Sequence, residues 1–363
     1  MAKRFPGLDH LRALAIILVF LFHYGIFGDH PDWIVTVGSF GWTGVDLFFV
    51  LSGFLIAGEL FSRIRERKGL GMRLFYTKRA FRILPVYGVV LACYFFIPGF
   101  KEAPNLSPWW RYLSFTLNFG LDLRHTRAFT HAWSLCVEEQ FYLLLPLTLW
   151  VFIRYRAFRF APWLTVFLFV GGFCIRAYSW LHFVQDGSKS YEWHEYVYYP
   201  TYNRLDGLLT GIALAAIYQF RPVWRDRMLS LGNILLPAGI VLLAGTACLF
   251  GNAQSFGGSV LAFPMIAIAY GCIVAAAVSP TCFLHRFSSR VTHTLAVLSY
   301  SIYLSHKAII HLSQAVIARW GIETHGTWSL VICASACVLA AYALRIIVEK
   351  PALRLRNRFI QTR

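Results

Sequence analysis

Charge is what this sequence has least of. Only 14% of its 363 residues are Asp, Glu, Lys or Arg, while 58% are hydrophobic, and a soluble domain would carry about 25% charged. Acids are the scarcer sign, 17 against 34 Lys and Arg. There is no GxxxxGK[ST] loop to cradle a nucleotide phosphate, so such a ligand would have to be held by side chains. No GxSxG elbow and no HExxH occurs, which argues against serine-hydrolase and zinc-peptidase chemistry. The eight cysteines lie in or beside apolar runs without CxxC spacing, so neither a disulfide framework nor a thiolate metal site is indicated. The histidines have no ligand spacing either, and no metal is expected. Internal repeats and low-complexity stretches are missing. Lys3 and Arg4 precede an apolar run as in a signal peptide, but Arg12 interrupts the run and no A-x-A site follows, so the first helix reads as uncleaved.

What is there is apolar and long. Runs able to cross a hydrocarbon core of about 30 Å fall near 9–28, 40–61, 82–98, 131–153, 160–182, 200–220, 230–250, 258–279, 294–318 and 327–348. The expected fold is all-α, a polytopic bundle of about ten spans forming one integral-membrane domain over 1–363. Pro104 to Phe119 reads as a re-entrant or interfacial piece. The net charge of +17 could suggest nucleic acid, but the basic residues cluster between spans, above all in RIRERKGLGMRLFYTKRAFR (63–82) and in the tail after Glu349. That is the topogenic pattern, and it puts both termini in the cytoplasm with no appended outer domain and no nucleic-acid partner.

The chain is organised around LDHLRALAIILVFLFHYGIFG (8–28), a span that carries Arg12 near its start and His23 near its end. On a helix they share a face, about 16 Å apart along the axis. Ionisable groups in a span cost several kcal/mol unless they line a bundle interior or a wet cavity. The simpler reading is a snorkelling arginine and a structural histidine. Against it, the topology places His23, Asp46, Glu138, Glu139, Arg176, Arg204 and Asp206 in the outer half of the membrane, most at one level, with His306 and Lys307 mid-span. Accidents would scatter in depth, so a shared polar cavity with paired charges and His23 as its proton-transfer group is expected. On the inner side Arg12, Arg79 and Arg82 are either ordinary positive-inside charge or a cradle for a polyphosphate.

Seven segments in order resemble the acyltransferase family 3 integral-membrane proteins, the O-acetylases of surface polysaccharides, lipopolysaccharide, peptidoglycan and some antibiotics. They are LDHLRALAIILVFLFH with its Arg-x10-His pattern at Arg12 and His23, GVDLFFVLSGFLI (Gly44 to Ile56), RAFRILPVY with an Arg-x-x-Arg element at Arg79 and Arg82, WSLCVEEQFYLLLP (Trp133 to Pro146), YNRLDGLLTGIALA (Tyr202 to Ala215), SYSIYLSHKAI (Ser299 to Ile309) and VEKPALRLRNR (Val348 to Arg358). The chain departs from the family in having Ser305 before His306 where members often carry Trp, and in lacking the fused outer hydrolase-like domain many members have.

The resemblance implies transfer of an acyl group, usually acetyl from acetyl-CoA, to a hydroxyl of a glycan or glycosylated acceptor by a protein of the bacterial cytoplasmic (inner) membrane. Acyl-CoA would be a co-substrate, with no permanently bound cofactor. Its phosphates would rest on Arg12, Arg79 and Arg82. His23 would be general base, with Asp46, Glu138 or Asp206 orienting it and Arg176 or Arg204 stabilising the oxyanion. An acyl-His intermediate is the less economical route. YEWHEYVYYPTY (Tyr191 to Tyr202) offers rings for a sugar, or is an interfacial aromatic belt. The alternative class is a proton-coupled transporter or exporter, since buried histidine, carboxylates and arginines also suit a proton relay. Inverted repeats would favour transport, and none is visible.

Overall fold

Each of the ten apolar runs becomes a helix in the computed structural model, which describes residues 5–26, 29–185 and 190–361. The described residues are 80% helical without a strand. The long helices are α1 (Pro6–Ile26), α2 (Gly44–Arg65), α3 (Met72–Phe96), α4 (Trp133–Arg154), α5 (Ala161–Ser179), α6 (Asp206–Phe220), α7 (Gly232–Leu249), α8 (Phe263–Val278), α9 (Arg290–Arg319), α10 (Thr327–Leu344) and α11 (Lys350–Gln361). Among the described residues eight helical stretches are long and apolar enough to cross a membrane, and α6 and α9 fall outside that set. α6 has 15 residues, and α9 carries Arg, His and Lys along its length. The protein is an integral-membrane, all-α protein. Lys3, Arg4 and Gly28 lie outside the described residues.

Three boundaries differ from expectation. The third span begins at Met72, not at 82, so Lys78, Arg79 and Arg82 are helical. Gly69 and Gly71, at φ 66° and 59°, turn the chain there, and basic residues extend a helix readily while lowering the hydropathy that marks a span. The sixth starts at Asp206 rather than 200, after Pro200 and a 3-10 turn at Thr201–Asn203. The tenth runs through a π turn, Arg345–Glu349, into α11. The 104–119 piece is mostly turns around a short helix, Trp109–Leu113.

The chain divides into two units. The first comprises residues 1–12, 45–70 and 105–289; the second comprises 13–44, 71–104 and 290–363. α1 contributes to both.

The first unit is built on α8, whose sequence FPMIAIAYGCIVAAAV is apolar all round and buried for nearly its whole length, as a central helix must be. α8 packs on α6 and α7. Small residues set these approaches: a Cβ at Gly239 would overlap the α8 backbone, and one at Gly211 or Gly53 would overlap backbone across the α2–α6 crossing. Gly207 and Gly211 form a GxxxG face of the kind that lets membrane helices touch backbone to backbone.

The second unit packs α9 on α10, with a core of Tyr24, Ile34, Ile310, Ile317, Cys333 and Cys337. The Tyr24 hydroxyl donates to Ser329 Oγ at 3.2 Å, giving its polar tip a partner. α11 lies along α3, where Phe81 and Phe359 meet at 5.8 Å.

Candidate active site

In the second unit two imidazoles meet. His23 of α1 and His306 of α9 have ring centroids 4.8 Å apart and planes at 66°. His23 Nδ1 is 2.9 Å from the Val19 carbonyl, which can only accept, so Nδ1 carries the proton and Nε2 the lone pair. His306 uses the same device, its Nδ1 lying 2.7 Å from the Tyr303 carbonyl and 3.2 Å from that of Ile302. Helical spacing thus fixes both tautomers from within each helix. The Phe22 ring at 5.3 Å from His23 and the Tyr303 ring at 5.8 Å from His306 flank the pair. Next to it, Lys307 Nζ lies 2.9 Å from Glu102 Oε1, with side chains 8% and 1% exposed.

The first unit holds a different set. Arg176 of α5 grips Asp206 of α6 with both Nη atoms, at 2.6 and 3.2 Å, and donates to the Asn203 carbonyl at 2.9 Å. Arg204 Nη2 lies 2.9 Å from Asp46 Oδ1 of α2. Its guanidinium sits among the rings of Phe263, Tyr198 and Trp133, at 4.2, 4.7 and 5.5 Å from their centroids. Arg204 Nε and Nη1 and Asp46 Oδ2 are buried with no hydrogen-bond partner among the described residues, and the rings meet the guanidinium face instead. Glu138 of α4 accepts from Ser52 at 2.6 Å and from Tyr142 at 3.3 Å. Glu139 is half-buried beside it. Such buried pairs cost desolvation and return it through geometry. Here they tie α2, α4, α5 and α6 together.

Of the charges expected at one level, Asp46, Glu138, Arg176, Arg204 and Asp206 belong to the first unit and His23, His306 and Lys307 to the second. Asp46 and Asp206 are each engaged by an arginine, and His23 Nδ1 donates within its own helix. Arg12 is half-buried on the part of α1 that belongs to the first unit. Arg79 and Arg82 share a face of α3 in the second. Arg79 lies over the Phe75 ring, 5.5 Å from its centroid. Arg82 is ion-paired with Glu349, a 1% exposed carboxylate in the π turn that also lies 3.5 Å from Arg345 Nη1.

Two of these residues escaped sequence reading. Glu102 follows α3 in KEAPNL and looks like an ordinary loop acid. Glu349 marks the start of the tail, yet it is the only carboxylate on α3, α9, α10 and α11 with the π turn, and that scarcity was the available signal. The aromatic stretch from Tyr191 to Tyr202 divides: Trp193, Tyr198 and Tyr199 are buried, whereas Tyr191 and Tyr202 are 41% and 42% exposed.

Residues 5–346 match the acyltransferase domain family. The peptidoglycan O-acetyltransferase OatA of Listeria monocytogenes is 28% identical, over 96% of this chain and 56% of that protein. The O-acetyltransferase OatA of Staphylococcus aureus is 30% identical, over 98% of this chain and 56% of its own length. A putative O-acetyltransferase of the same species is 26% identical over 84% of this chain and 50% of its own length. The chain thus spans about half the length of the curated relatives it matches. No solved structure matches.

Proposed function

The chain belongs to the acyltransferase domain family, and from that premise we propose that it is a membrane O-acyltransferase moving an acyl group, acetyl in the first instance, from acyl-CoA to a hydroxyl of an extracytoplasmic glycan. Peptidoglycan is the acceptor to try first, because that is the acceptor printed in the name of the Listeria relative. The observation that carries the reading is the state of His23: its Nδ1–H is spent on the Val19 carbonyl, which leaves Nε2 as the basic nitrogen. A base of that form suits removal of a hydroxyl proton.

In this reading the acceptor O–H breaks as its oxygen bonds the thioester carbonyl carbon, and His23 Nε2 takes the proton. The C–S bond then breaks and the proton passes to the CoA sulfur, so His23 ends neutral. Arg79 and Arg82 are assigned to the donor's phosphates, for which the guanidinium fork is suited, and Arg12 is proposed separately as a phosphate contact. The basic inner loops support a cytoplasmic donor. The ion pairs of the first unit hold its helices in register.

The test is incubation of purified protein with radiolabelled acetyl-CoA and peptidoglycan fragments, with the ester bond scored by its lability to mild base. Wild type should label the fragments and His23→Ala should not, while both bind acetyl-CoA. Labelling by His23→Ala at the wild-type rate would overturn the role of His23.

A further inference from the structure

His23 has a neighbour that the mechanism above does not use. His306 is fully buried, it stands 4.8 Å from His23 between ring centroids, and its Nδ1–H is spent on its own helix. Each ring therefore presents a lone pair at Nε2, and neither can satisfy the other as donor while both are neutral. The arrangement changes once a proton arrives. An imidazolium next to a neutral imidazole is stabilised by its π face and lone pair, whereas two imidazolium rings at this separation would repel strongly. Among the groups around the pair are Lys307 and Glu102, ion-paired at 2.9 Å, the Phe22 and Tyr303 rings, and the Cys337 thiol, which donates to the His306 carbonyl at 3.8 Å. Between them the two imidazoles can hold one proton but not two.

We propose that His306 is a positioning residue for acyl transfer: it stabilises the His23 imidazolium during the interval between removal of the acceptor proton and its delivery to the thiolate sulfur. The role resembles that of a carboxylate behind a catalytic histidine, performed here by a neutral ring. It needs no further reactant, since the proton that leaves the acceptor oxygen is the one that reaches sulfur. The inference rests on the acyl-transfer reading.

His306→Asn tests it, because the amide can keep a donor towards the helix carbonyls while removing the ring and its lone pair. Expected is a fall in kcat of about tenfold to a hundredfold with acetyl-CoA binding and KM unchanged. Wild-type kcat would overturn the proposal, and so would loss of donor binding together with kcat, which marks a merely structural role. A second readout does not depend on transfer. Carbethoxylation of His23 by diethyl pyrocarbonate also places positive charge on that ring, so mass spectrometry should find His23 modified several-fold more slowly in His306→Asn. Equal rates would overturn the proposal. If the wild type transfers no acyl group at all, the parent reading falls, and the carbethoxylation rates alone decide whether the pair shares charge.

Discussion

Lys307 Nζ lies 2.9 Å from Glu102 Oε1 with both side chains almost wholly shielded, one position along α9 from the buried His306. A charge in such a place is tolerated because its counterion is there. The pair also fixes the segment that follows α3 against α9, within the same unit as His23.

Breaking that pair from one side should be worse than removing it. Lys307→Met leaves Glu102 shielded and without its ammonium partner, a defect of about 3–5 kcal/mol, whereas Lys307→Met with Glu102→Gln leaves two neutral groups. In a double-mutant cycle read by thermal unfolding in detergent, the double variant should be more stable than Lys307→Met alone. Additive losses would show that the two charges do not depend on each other.

Arg82 and Glu349 give a case in which stability and binding should separate. Glu349 is held by Arg82 and Arg345, so Arg82→Ala should lower both melting temperature and acetyl-CoA affinity. Adding Glu349→Gln should restore the melting temperature without restoring affinity. Arg12→Ala should weaken acetyl-CoA binding, with partial recovery in Arg12→Lys, since an ammonium lacks the guanidinium fork. A calorimetric affinity equal to wild type in either variant would remove that arginine from phosphate binding.

Glycines on one helix should differ sharply in tolerance. A Cβ at Gly53 would overlap the Leu208 carbonyl oxygen, whereas one at Gly58, also on α2, meets nothing within 4 Å. Gly53→Ala should therefore destabilise by about 1–3 kcal/mol through overpacking, and Gly58→Ala should stabilise by about 0.5–1 kcal/mol through helix propensity. Equal melting temperatures for the two variants would mean that α2 and α6 do not meet backbone to backbone.

Hydropathy was enough to locate every long apolar helix, because burial in lipid demands a continuous apolar run whatever its neighbours. It failed at the start of α3, where Arg79 and Arg82 lower the hydropathy of residues that are nonetheless helical. For the site, the sequence made His23, Asp46, Arg204 and Asp206 visible as charges out of place, and span counting supplied an expected depth. Depth does not give azimuth. Which arginine takes which aspartate is decided by rotation about helix axes, and the Arg204–Asp46 bond closes over 158 positions. Glu102 and Glu349 were overlooked because an acid at the end of a span resembles a solvated loop residue until its partner is known.

The last prediction concerns sidedness and separates an acyltransferase from a transporter. Basic residues concentrate in the 63–82 stretch and in the tail, which the proposed topology, resting on the positive-inside rule, turns to the cytoplasm. His23 lies near the opposite end of the first span, so the proposed donor and acceptor should enter from opposite faces. In sealed vesicles of known orientation, an acceptor confined to the outer face should be acetylated only when acetyl-CoA is supplied on the cytoplasmic side, and free CoA should appear on that side. A transporter would move its ligand across without any ester being formed. Equal acetylation of an acceptor confined to the cytoplasmic face would show that His23 is reached from the inside, and the assignment of its depth, with the orientation of α1, would have to be reversed.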